Sequence, residues 1–190
     1  VVWWLSTGVI FLLVGRAPGT YRRSMAGATL MLIAALAALA MSSRSDDPVS
    51  AYVAFTSAIA VWGWLEMAFL MGFLTGRRSA PDGGAKGGLR HFLRAVAALL
   101  DHELSIVAGG ALVVALTWEQ PNQIGTWTFL ALWGMRQSAK LNLFFGVRNL
   151  NDELLPPHLQ HLKAFLRRRA MNPLFPISVA AGAAICALVA

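Results

Sequence analysis

The feature that most constrains this chain is a succession of apolar stretches separated by short loops that hold most of its charge. A membrane-spanning helix needs roughly 20 apolar residues. Residues 1–15 supply the C-terminal part of one such span, 24–41 a second and 51–75 a third. Residues 104–118 are apolar but short, so the fourth span starts earlier and covers 99–118. Residues 126–147 give a fifth, and 174–190 begin a sixth. The expected fold is all-α: one polytopic membrane helical bundle over residues 1–190, with at least six transmembrane helices. The chain begins at Val1 and finishes in an apolar run, so both ends are expected to be truncated. Strand-like alternation is too short for a barrel, and no internal repeat is evident.

Charge supports the same class. Charged residues make up 13% of the chain, against roughly 25% in soluble domains. The net charge of +7 could suggest nucleic acid. Its placement in short loops between apolar spans instead indicates membrane orientation, with no nucleic-acid partner. Arg16, Arg22 and Arg23 follow the first span, whereas the next loop sets Arg44 against Asp46 and Asp47. Arg77, Arg78, Lys86, Arg90 and Arg94 follow the third, and no base lies in residues 119–125. Arg148, Lys163, Arg167, Arg168 and Arg169 follow the fifth. The basic loops are therefore expected on the cytoplasmic side, and the start of the first span on the opposite side. Trp3, Trp4, Trp118 and Trp127 then gather at the opposite interface, where indoles anchor.

Other segments carry weaker signals. Residues 79–88 form a Gly-rich loop without Walker spacing, so no phosphate cradle is expected. Residues 91–100 are expected to lie along the interface before the fourth span enters the bilayer. Residues 158–169 are expected to form an amphipathic helix with Leu159, Leu162, Phe165 and Leu166 on one face. The lone Cys186 supports neither a disulfide nor a metal motif.

Ionisable residues inside spans are costly and mark candidate sites. The third span carries Glu66, the fourth opens on Asp101, His102 and Glu103, and the fifth carries Arg136, Gln137, Lys140 and Asn142. Arg136 and Lys140 are four residues apart and share a helix face. Glu66 is expected to pair with Arg136, and Glu103 with Lys140. Such pairs often only hold helices in register. Two sharper chemistries compete with that role. Glu66, His102 and Glu103 with His158 or His161 offer ligands suited to iron or zinc, although no EXXH or HXXXH pair is present. Alternatively, His102 is a candidate pigment ligand, with Trp62, Trp64 and Trp133 packing on a tetrapyrrole.

Three stretches together carry a family resemblance: WGWLEMAFLMGFLTG (62–76), DHEL (101–104) and the block from LWGMRQSAKLNLFFGVRNLNDELLPPHLQHL to MNPLFPIS (132–178). They resemble the PuhE family of photosynthetic complex assembly proteins in purple-type phototrophic bacteria. The resemblance implies a multi-span factor of the bacterial inner, photosynthetic membrane, its first span starting on the periplasmic side, that helps assemble the reaction centre and the light-harvesting 1 antenna. It also implies an involvement in bacteriochlorophyll supply, with transient handling of bacteriochlorophyll or a carotenoid. No catalytic residue comes with it, so a non-enzymatic accessory role is expected. The positions matching its pattern include Glu66, His102, Glu103, Arg136, Lys140, Asn142 and His158, largely the polar set already found. The alternative is a membrane metalloenzyme of pigment metabolism built on the His and carboxylate cluster. A transporter ranks behind both, because the spans read as unbroken helices.

Overall fold

A computed structural model describes residues 1–74, 89–148, 155–166 and 168–189, excluding the side chains of Leu89, Arg90, His91, Arg94, Pro157, His158, His161, Ala164, Leu188 and Val189. The Gly-rich loop at 79–88, with Arg77, Arg78 and Lys86, lies outside the described residues. Six α-helices follow in order: α1 Val2–Val14, α2 Tyr21–Ser42, α3 Pro48–Leu70, α4 Leu89–Thr117, α5 Ile124–Phe145 and α6 Leu174–Val189. Short 3₁₀ helices at Pro18–Thr20 and Pro157–Phe165 complete the described regular structure. Three segments are long and apolar enough to cross a membrane: Pro18–Ser42, Pro48–Leu70 and Ala95–Thr117. Helices α1 and α6 are apolar but shorter, and α5 carries Arg136, Gln137, Lys140 and Asn142.

Helix α3 is the centre of the bundle and packs against α1, α2, α4 and α5. Its sequence explains why: Ala54, Ala58, Trp62, Leu65 and Phe69 recur every three or four residues and all are buried. Leu39 of α2, Ile106 and Val113 of α4, and Phe129 and Leu132 of α5 complete that core. The Phe129 ring meets Trp62 edge-on at 5.4 Å, a geometry aromatic pairs favour. A second cluster joins Met25, Ala28, Met67, Ala68 and Met71, with Leu13 and Val14 of α1 beside it.

Polar groups fix the helix ends. Asp47 caps α3, its Oδ1 accepting from the backbone N–H groups of Val49 and Ser50 at 2.9 and 3.0 Å, and Pro48 takes the first helical position, where its missing N–H costs nothing. Buried Asn122, between α4 and α5, donates from Nδ2 to the Ser42 carbonyl and from its backbone to that of Ser43. The α4–α5 turn is thereby tied to the end of α2. Tyr21 donates to the Val14 carbonyl at 2.7 Å, which closes the turn between α1 and α2 at the opposite end.

Two expectations need correction. Helix α4 begins at Leu89, not Leu99, so residues 91–100 continue the helix instead of forming a separate interfacial piece. No Pro or Gly interrupts that stretch, so nothing breaks the periodicity of Phe92, Val96 and Leu99. The amphipathic segment at 158–169 is a 3₁₀ helix that stops at Phe165. Its apolar residues Leu159, Leu162 and Phe165 fall every third position, which matches three residues per turn. The chain then extends, and Arg169 N–H donates to the Val147 carbonyl at 3.1 Å.

Candidate functional site

Glu66 of α3, Glu103 of α4, and Arg136 and Lys140 of α5 meet inside the bundle, whereas Asp101 of α4 is exposed. Arg136 Nη1 donates to both carboxylate oxygens of Glu66 at 2.5 Å. Lys140 Nζ donates to Glu103 Oε1, and Gln137 Nε2 donates to Glu103 Oε2 at 2.6 Å. Gln137 and Lys140 lie three positions apart on α5 and so reach the same carboxylate. Both ion pairs are partly buried, with side-chain exposures near one fifth. Two acids and two bases cancel, which removes the uncompensated charge that makes such groups costly in an apolar interior.

His102 sits next to Glu103 in sequence but on another face of α4, turned toward α3. It is fully buried and stacks on Phe69 with ring centroids 4.4 Å apart and planes inclined by 25°. Its Nε2 lies 3.9 Å from Glu66 Oε1, too far for a hydrogen bond. Neither ring nitrogen has a partner among the described residues. The Arg136 guanidinium carbon stands 5.8 Å from the Phe69 ring centre, within cation–π range. Phe69 thus neighbours both the unpartnered imidazole and the paired guanidinium.

Glu66, His102, Glu103, Arg136 and Lys140 are therefore one neighbourhood. Asn142 is elsewhere: its Nδ2 donates to Ser178 Oγ of α6 at 3.0 Å and to the Ser138 carbonyl at 2.9 Å. Beside it, buried Asn172 donates to the Gly146 carbonyl at 2.7 Å and accepts from the Phe175 N–H. This Asn pair ties α6 to the end of α5. The side chains of His158 and His161 lie outside the described residues. Among the described residues no three His, Cys, Asp or Glu side chains come together as a metal site would require. Gln137 and Phe69 are the contributions that sequence reading left without a role. The i, i+3 spacing of Gln137 to Lys140 was the available signal for one, whereas nothing in the sequence marks Phe69 apart from other core aromatics.

The family model described as Protein of unknown function (DUF3623) matches residues 1–190. The chain belongs to the DUF3623 family. A Rhodobacter capsulatus protein named "Uncharacterized 30.4 kDa protein in puhA 5'region" is 40% identical over 182 residues. The match covers 94% of this DUF3623 chain and 66% of the relative, so the chain spans slightly less than two thirds of the relative's length. No solved structure matches.

Proposed function

We propose that this DUF3623 chain is a polytopic inner-membrane protein of at least six spans that helps assemble the photosynthetic reaction centre and its light-harvesting 1 antenna. The membrane half of this reading is carried by an inverted distribution of side chains. Large apolar residues stand on the outside, such as Leu30, Met31 and Ile33 of α2, Leu104, Val107 and Leu112 of α4, and Ile177 and Val179 of α6. The Glu66–Arg136 and Glu103–Lys140 pairs lie within. That arrangement suits lipid as the solvent. Exposed Trp118 and Trp127 flank the α4–α5 turn that Asn122 ties to Ser43, and exposed Trp3 and Trp4 stand at the start of α1, positions that suit interfacial anchoring. The basic loops then face the cytoplasm, and α1 starts on the periplasmic side.

The photosynthetic half rests on two supports. One is the resemblance of residues 62–76, 101–104 and 132–178 to the PuhE family. The other is the R. capsulatus relative, whose name puts it in the puhA 5' region. In this role the protein docks to reaction-centre or antenna subunits through lipid-facing helix surfaces. The outer face of α2, with exposed Leu30, Ile33, Ala34 and Ala37, permits close helix approach. Gly109 and Gly110 of α4, also small, face inward instead. A Cβ at Gly109 would lie 3.0 Å from Leu65 Cδ1, and one at Gly110 3.0 Å from Phe129 Cε1. Delivery of bacteriochlorophyll is the finer form of the proposal. Deleting the gene in a phototrophic host and recording membrane absorption tests it: reduced reaction-centre and antenna bands are expected, and unchanged bands reject the assembly role.

A further inference from the structure

The polar core forms one end of a pocket of about 440 Å³ between α4, α5 and the 3₁₀ helix Pro157–Phe165. Its wall on α4 runs from Phe92 to Glu103, about 16 Å of helix. Its wall on α5 runs back from Phe144 to Arg136. Phe92 and Phe144 meet at one end, with ring centroids 5.5 Å apart. At the other end stand Glu103, Arg136, Gln137 and Lys140, and Leu162 with Phe165 packs across from the 3₁₀ helix. The volume is that of a small-ligand site. Val96 and Leu141 line it and are also exposed, so it is reachable from the flank of the bundle.

Among the described residues the polar end is charge-neutral yet rich in donors. Glu66 balances Arg136, and Glu103 balances Lys140. An ammonium carries three N–H groups and a primary amide two, and Glu103 accepts one from each of Lys140 and Gln137. Behind them, Arg136 Nε is buried with no acceptor among the described residues. A charged head group would upset the balance in an apolar setting. A neutral acceptor would satisfy the surplus donors without doing so.

We propose that this pocket binds a neutral, carbonyl-bearing amphiphile drawn from the bilayer, a long-chain ketone or ester. Its carbonyl oxygen accepts from Lys140 and Gln137, and its tail lies between Phe92, Phe144 and Phe165. The inference uses the membrane location proposed above and is independent of the assembly role.

The test uses the full chain in detergent micelles and a long-chain methyl ketone with a photoactivatable diazirine on its tail. Labelling is expected on α4 and α5 peptides. The unlabelled ketone should compete about tenfold more effectively than the carboxylate or the alkane of equal length, the scale of one or two hydrogen bonds. Ala95→Phe, which fills the pocket, should reduce labelling at least tenfold. Val96→Trp fills it from an exposed position and serves if the first variant does not fold. Gln137→Leu should weaken competition by the ketone and leave that by the alkane unchanged. Equal competition by all three compounds overturns head-group recognition, and preference for the carboxylate makes the site anionic instead. Labelling that survives both filling variants removes it from this pocket.

Discussion

Arg136 of α5 turns a single guanidinium nitrogen onto both carboxylate oxygens of Glu66 of α3 at 2.5 Å, and this pair joins the central helix to the helix that also carries Lys140. Removing one partner leaves a partly buried charge unpaired, which costs about 3–5 kcal/mol in buried pairs. Glu66→Gln and Arg136→Met are each expected to lower the thermal midpoint in detergent sharply. Exchanging the charges, Glu66→Arg with Arg136→Glu, should recover a substantial part of the loss. A double variant no better than the singles means the two do not act as partners.

Much of this site was legible in the sequence, because charges within apolar helices have few places to go. Arg136 and Lys140 share a face, and Glu66 and Glu103 stand on the two helices that precede theirs in the chain, so the pairing followed. Asn142 misled for a related reason. It lies on α5 two residues beyond Lys140 and is as polar as the pair-forming residues, but its partner Ser178 is on α6 and its neighbour Asn172 precedes that helix. Spacing along one helix does not reveal which neighbour faces it. The start of α4 was misplaced because charged residues at 90–94 resemble an interface, while helix continuity depends on the absence of a breaker.

Gly146 ends α5 with φ of 113°, in a region that residues with a Cβ rarely adopt. A Cβ there would also lie 2.8 Å from Arg169 Cγ. Gly146→Ala is expected to cost about 1–3 kcal/mol. It should also loosen the Arg169–Val147 contact, visible as faster amide exchange at Arg169. An unchanged midpoint and exchange rate would show that the turn is not held in this conformation.

Phe129 is about 1% exposed and packs on Trp62, with Gly110 directly beneath it. Phe129→Ala should destabilise by about 3–5 kcal/mol. Gly110→Leu, which drives side-chain atoms into the same ring, should cost about 1–3 kcal/mol. If α4 and α5 do not pack here, both substitutions will be nearly silent in a thermal scan.

Asp47 offers a pH-dependent handle outside the apolar spans. Hydrogen bonds from the Ser50 and Ser45 hydroxyls and from the Ser50 and Val49 backbone hold its carboxyl well below the ordinary value of 3.8. A depressed value in the folded state means that the contribution is complete above the unfolded value and decays as pH falls below it. The difference in midpoint between wild type and Asp47→Asn should therefore be constant near neutrality and shrink below about pH 4. A difference that grows on acidification contradicts the cap.

In the proposed role this DUF3623 protein works on photosynthetic complexes from within the bilayer. The most direct measurement is affinity isolation of a tagged copy from gently solubilised phototrophic membranes, with its subunits and absorption spectrum recorded. Reaction-centre and light-harvesting 1 subunits are expected to co-elute with it during complex synthesis, and to be lost when Leu30 and Ile33 on the outer face of α2 are changed to Trp. A tagged protein that integrates stably into the membrane but elutes without those subunits, from cells actively assembling them, contradicts the account.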